Sequence, residues 1–178
     1  MINLNQARNQ ASSIIPSDKN IVLSGFMGAG KTTVGQILAS RLNRDLIDAD
    51  EEIERRQGMT IAEIYKRMGE PGFRQIERAV ITDLCVNNRG KVVSLGGGAF
   101  MQQEIRDICL SSAIVVFLDV SWERWKERIS LIKDTRPLLQ TKSMEEVREL
   151  FDTRRKVYSL SHFTIHTDQL SPEEIADQ

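Results

Sequence analysis

"GFMGAGKT" (25–32) follows the apolar run "IVLS" (21–24) and precedes "TVGQILASRL" (33–42). Its glycines and lysine fit the pattern G-x-x-x-x-G-K-[ST] at Gly25, Gly30, Lys31 and Thr32. Phosphate oxygens need many short hydrogen bonds from a surface that allows close approach. Glycines let a backbone turn its N–H groups inward, and a helix N-terminus beyond them adds its dipole. Lys31 is placed to reach the β- and γ-phosphates of a nucleoside triphosphate, and the Thr32 hydroxyl to ligate Mg²⁺. The cradle runs over Gly28, Ala29, Gly30, Lys31, Thr32 and Thr33.

Outward from this loop, strands and helices alternate. "NIVLSGF" (20–26) reads as a buried strand, and Val34, Ile37, Leu38 and Leu42 keep a helical period over 31–42. "DLIDAD" (45–50) is a short strand that ends in two acids. Residues 51–87 are helical with breaks at Gly58 and at "GEPG" (69–72). "KVVSL" (91–95) is a strand running into three glycines, 102–110 a short helix, and "AIVVFLDV" (113–120) a central strand. Residues 121–130 are helical, "SLIKDTRPLLQTKS" (130–143) is a polar loop, 144–158 is a helix, and "HFTIHT" (162–167) is the last strand. This order predicts an α/β fold, a parallel sheet covered on both faces.

The chain has 178 residues, a formal net charge of −1, 40% hydrophobic and 28% charged residues. That length fits one domain. The charge offers no basic surface for nucleic acid or membrane, and no run approaches the roughly 18 apolar residues of a membrane span. Residues 1–19 are polar and read as an N-terminal extension, not a signal peptide. Cys85 and Cys109 lie far apart in sequence and read as reduced thiols, which places the protein in the cytoplasm. Near-neutral charge and the lack of a heptad seam favour a monomer.

Four further stretches carry chemistry. In "DAD" (48–50), Asp48 and Asp50 at i, i+2 on a strand point the same way; one acid would hold Mg²⁺ waters and the other a substrate hydroxyl. Asp50 would also cap the following helix. "GFRQIE" (72–77) sets Arg74 near a helix start, where its charge opposes the dipole; a bidentate grip on an acid is one use for it there, a solvated surface arginine the other. "SLGGGA" (94–99) removes three side chains at Gly96, Gly97 and Gly98, permitting close backbone approach to a ligand. Arg136 in "DTRPLL" (134–139) sits on a loop suited to neutralise charge on a transferred phosphoryl group.

In this order, "GFMGAGKTTVG", "DAD", "GFRQIE", "GGG", "RPLL" and an arginine shortly before Tyr158, the chain resembles the shikimate kinase family over residues 20 to about 168. The resemblance implies transfer of the γ-phosphoryl of ATP to the 3-hydroxyl of shikimate, in the route to chorismate and aromatic amino acids. It implies a three-layer P-loop kinase fold with a five-stranded parallel sheet. A helical substrate-binding region would lie at about 51–80 and a lid at about 130–142, within one domain spanning 20–178. By match, Lys31 and Thr32 serve the phosphates and Mg²⁺, Asp48 the metal, and Asp50 the substrate hydroxyls, with Asp50 the base. Arg74 and Arg154 match the arginines for the substrate carboxylate, Gly96 to Gly98 the pocket lining, and Arg136 the lid arginine.

Three departures stand out. "RRKVY" (154–158) has Lys156 where proline is usual, so Arg154 or Arg155 is the pocket arginine, with spacing favouring Arg154. An adenine-side arginine would fall at Ile129, and a one-residue shift makes Arg128 the nucleotide contact. The chain stops at "SPEEIADQ" (171–178), where the family's last helix runs on. The "RRKVY" stretch keeps open a related kinase of gluconate or an aminated shikimate analogue. A non-catalytic nucleotide-binding module is the remaining reading.

Overall fold

The computed structural model describes residues 16, 18–132 and 141–178. β1 (Asn20–Ser24) leads through the glycine loop into α1 (Lys31–Leu42), then β2 (Leu46–Asp48) and α2 (Ala49–Gln57). A long, broken α3 (Ile61–Asn87) leads to β3 (Val92–Ser94), a 3₁₀ turn (Ala99–Met101) and α4 (Gln103–Ser112). β4 (Ala113–Asp119), α5 (Trp122–Ile132), α6 (Met144–Tyr158), β5 (Phe163–His166) and α7 (Pro172–Asp177) complete the described chain. All strand pairings are parallel, in the order β2-β3-β1-β4-β5.

The alternation of strand side chains makes the three layers. Val22, Val93, Val115 and Phe117 face one way, into a core shared with Val80, Ile81 and Leu84 of α3, Ile105 and Cys109 of α4, and Phe151 and Tyr158 of α6. Their neighbours Ile21, Leu23, Val92 and Leu118 face the other way, against Val34 and Ala39 of α1 and Ile175 of α7. Each such buried aliphatic contributes about 1.5–3 kcal/mol.

The helix limits follow local chemistry. α2 ends at Gly58 in the left-handed region (φ 64), and α3 breaks at Gly69 (φ 67, ψ −176), just before Pro71. Both breaks lie where the sequence placed them. α3 and α6 start on capping boxes, Thr60 with Glu63 and Ser143 with Glu146. The strands are shorter than the sequence pattern: β1 stops at Ser24, and β3 covers only 92–94. α5 runs on to Ile132, into the stretch read as loop. Cys85 and Cys109, distant in sequence, meet across α3 and α4 as buried free thiols with Sγ atoms 3.8 Å apart. No described helix is long and apolar enough to cross a membrane.

One buried amide ties three elements together. Asn20 is 1% exposed. Its Nδ2 donates to the carbonyls of Leu84 (3.3 Å) and Asn88 (2.9 Å), and its Oδ1 accepts from the Lys91 N–H (2.9 Å). Asn20→Ala strands those groups and should cost about 2–3 kcal/mol. Thermal unfolding should show Tm lower by about 4–10 °C, with kcat unchanged because the contact lies at the sheet end away from the glycine loop.

Candidate active site

The parallel sheet brings the loops after β1, β2 and β3 to one edge, where a cavity of about 180 Å³ opens to solvent. Its lining includes Gly28, Gly30, Lys31, Thr32, Thr33, Asp48, Asp50, Gly96 and Gly97, together with Met27, Ser94 and Leu95. Ala29 lies beneath this lining, buried in the core.

α1 opens with no side-chain cap on Gly30 and no acid in its first turn. A helix N-terminus of this kind, uncapped by a side chain and free of acids, suits an anion. Gly25 holds φ 147, and a β-carbon there would sit 2.8 Å from the Leu118 carbonyl, so only glycine fits between β1 and β4. Lys31 Nζ donates to the carbonyls of Gly25 (2.8 Å) and Phe26 (3.1 Å).

The two acids do not lie as a strand would set them. β2 ends at Asp48, and Asp50 falls in the first turn of α2. The cause is Asp48 itself. Its Oδ1 accepts from the N–H groups of Asp50 (3.1 Å) and Glu51 (3.4 Å), so it is Asp48, not Asp50, that caps the helix. Its other oxygen, Oδ2, accepts from Thr32 Oγ1 at 3.0 Å, joining the acid to the glycine loop.

The three glycines after β3 each face one charged side chain. A β-carbon on Gly96 would lie 2.6 Å from Asp50 Oδ1. On Gly97 it would lie 3.7 Å from Arg154 Nη1, and on Gly98 2.6 Å from Arg74 Nη2. Asp50, Arg154 and Arg74 thus lie one beside each glycine of the turn.

Arg74 is held from behind. Its Nη1 donates to Glu77 Oε2 at 2.7 Å, while Glu70 lies 3.4 Å from Nε and Nη2. Glu77 is 2% exposed and also accepts from Gln102 Nε2 at 2.6 Å; Arg78 in turn donates to Gln102 Oε1 at 3.0 Å. Burial pushes the Glu77 carboxyl above the usual range, against the pull of Arg74 and Gln102. Burial works against the Arg74 charge, but Glu77 beside it leaves the guanidinium pKa raised.

The two adjacent arginines of α6 divide. Arg154 Nη1 donates to the Gly97 carbonyl at 3.2 Å, and its guanidinium lies 5.9 Å from the Phe26 ring centroid. The buried Tyr158 hydroxyl donates to that same carbonyl, and burial pushes its pKa up to about 12. Arg155 turns away and forms a two-pronged pair with Asp119, both contacts 2.7 Å. Lys156, the residue standing for proline, is exposed and is not among the cavity's lining residues.

Arg128 lies on α5, where its charge helps lower the pKa of Asp168; it is not in the cavity lining. Arg136 and most of the expected lid lie outside the described residues. Sequence reading passes over Gln102 and gives Glu77 and Tyr158 no role of their own. Glu77 lies three residues after Arg74 on one helix face, a spacing that could have flagged it.

The Arg155 pair makes a stability prediction. Asp119 is 4% exposed, and Arg155→Ala leaves its carboxylate, among the described side chains, only His166 at 3.0 Å. Because Arg155 itself is half exposed, the loss should be about 2 kcal/mol, below that of a fully buried pair. Calorimetry should show Tm down by about 4–8 °C. Arg154→Ala, which frees no buried carboxylate, should shift Tm by less than about 2 °C.

A family model for shikimate kinase matches residues 27–178. A shikimate kinase of Geobacillus thermodenitrificans is 54% identical over 162 residues, which cover 90% of this chain and 86% of that one. One from Bacillus subtilis is 48% identical over 169 residues, 95% of this chain and 91% of that one. The solved shikimate kinase of Acinetobacter baumannii, in complex with shikimate, superposes with a TM-score of 0.82 at 39% identity over 93% of each chain. With the glycine loop, the acids and the two arginines gathered at one sheet edge, these likenesses show that the chain belongs to the shikimate kinase family of ATP-dependent kinases.

Proposed function

We propose that Asp50, Arg154 and Arg74, beside Gly96 to Gly98, form the shikimate side of the site, and that the loop over 25–33 is the ATP side. The reaction is the family's: the γ-phosphoryl of ATP passes to the 3-hydroxyl of shikimate, giving shikimate 3-phosphate and ADP. The observation that carries the assignment is the pairing of each glycine with one charged side chain. A small anion with vicinal hydroxyls needs cations at one end, a hydrogen-bond acceptor at the other, and a surface without side chains between them.

The division of work then follows. Arg74 and Arg154 grip the carboxylate. Asp50 accepts the hydrogen bond of the reacting hydroxyl and takes its proton as the hydroxyl oxygen bonds to the γ-phosphorus. The bond from that phosphorus to the β–γ bridging oxygen breaks, and ADP leaves. Gly28 to Thr33 bind the phosphates through N–H groups and the α1 dipole, and Lys31 stabilises the charge as it shifts. By match to the family, Arg136 serves the transferred phosphoryl group and Arg128 the adenine side of the nucleotide. Thr32 and Asp48 offer paired hard oxygens at the cavity edge, a donor set that fits Mg²⁺. Mg²⁺ when bound there neutralises phosphate charge. Residues 20–178 serve as one kinase domain, acting as a monomer in the cytoplasm, with residues 1–19 an extension.

ADP release by the purified protein, with ATP and Mg²⁺, should require shikimate and remain at background with gluconate. Turnover on gluconate but not shikimate would overturn the pocket assignment. Arg74→Ala should raise the shikimate KM roughly 10- to 100-fold, as loss of a charge-assisted contact does, with the ATP KM unchanged. Asp50→Asn should lower kcat by about 10²-fold or more.

Glu77 adds a pH dependence. Its carboxylate form holds Arg74, and its folded pKa is raised, so the grip is complete at high pH and lost as pH falls through that value. The shikimate KM should therefore rise on the acid side, beginning above the ordinary carboxylate range. Glu77→Gln should flatten that limb, while the ATP KM keeps its profile in both proteins.

A further inference from the structure

We infer that Trp125, a residue of α5 that does not line the cavity, is a positioning residue that sets the conformation of the phosphate loop. This rests on the ATP-side reading above. Phe26 to Ala29 form a tight turn, with the Ala29 N–H donating to the Phe26 carbonyl at 3.1 Å. The third residue of the turn, Gly28, has φ 75. A positive φ there makes it a type II turn.

Type I and type II turns differ by a flip of the central peptide, here the one joining Met27 to Gly28. Glycine at the third position leaves both forms open, because it takes either sign of φ. Something outside the turn must therefore choose. Trp125 is fully buried, and its indole Nε1–H donates to the Met27 carbonyl at 2.7 Å, holding that central peptide by its oxygen. The peptide is trans and planar, so the Gly28 N–H points opposite to the Met27 carbonyl. Trp125 takes the oxygen toward α5 and so turns the Gly28 N–H away from α5, at a position that lines the cavity. In the flipped form that place would present a carbonyl oxygen, which repels phosphate.

The indole is itself fixed. Its ring packs edge-on to Phe26 (5.2 Å between centroids) and against Trp122 (5.1 Å) and Phe151 (5.9 Å). An apolar ring of similar size would fill the space equally well. The indole N–H is what bonds the Met27–Gly28 peptide.

The test is Trp125→Phe, with Trp122→Phe as the control. A second variant replaces the Trp125 indole by benzothiophene, through 3-benzothienylalanine in the Trp122→Phe background; sulfur then stands where the N–H was, and packing is kept. Losing one neutral hydrogen bond should raise the ATP KM about three- to tenfold. Because substrate and transition state lose it alike, kcat should hold. The shikimate KM should not change, and Tm should stay close to that of the parent. An unchanged ATP KM in the benzothienyl protein would overturn the inference, and so would an equal rise in both KM values, which marks a packing defect. Background turnover in the parent protein would instead count against the ATP-side reading.

Discussion

β1 is buried along its whole length and bonded on both edges, to β3 on one side and β4 on the other. No strand so enclosed tolerates a register shift, since one step would exchange the side chains of its two faces. The loops that leave β1, β3 and β4 are therefore fixed relative to one another before any functional residue is considered. The glycine loop follows β1, the glycine triplet follows β3, and Asp119 closes β4. Gly25 shows how close the fit is, with β4 backbone where its side chain would be.

The helices are then registered on that sheet by a few polar contacts rather than by apolar area alone. Apolar packing tolerates sliding and small rotation; a two-pronged ion pair does not. Asp119, at the end of β4, holds Arg155 and so fixes the rotation of α6. The next residue back, Arg154, lies about 100° around the helix and is delivered to Gly97, where Tyr158 steadies the same carbonyl. One arginine is thus spent on the frame so that its neighbour can face the site.

Much of this was legible in the sequence, for identifiable reasons. α1 and α6 run over the residues the sequence gives them, 31–42 and 144–158, and α1 does so because its apolar spacing keeps a helical period. The breaks at Gly58 and Gly69 were legible because glycine there answers a backbone need. The Asp48–Asp50 geometry was misread because i, i+2 spacing carries a direction only if the strand continues, and the side chain of Asp48 itself ends it. The choice between Arg154 and Arg155 needed the partner, Asp119, which lies 36 residues from Arg155. Long-range partners of this kind leave no local period. The same holds for Gln102 and Trp125, whose sequence neighbourhoods read as an ordinary helix start and an ordinary core face.

Glu77 bears on what the polar network is for. Burying a carboxylate with a guanidinium gives little net stability, since desolvation offsets most of the attraction, and an apolar pair of like volume often does as well. Stability alone therefore does not account for Glu77, nor for Gln102 on its second side. What the pair does fix is direction. A lone arginine beside a glycine turn has many rotamers, and ordering it on substrate arrival would cost about 2 kcal/mol of side-chain entropy. Held by Glu77, Arg74 has lost that freedom at folding, and the cost no longer falls on binding. The Glu77 carboxyl, driven upward by burial and drawn back by Arg74 and Gln102, is where that preorganisation is held.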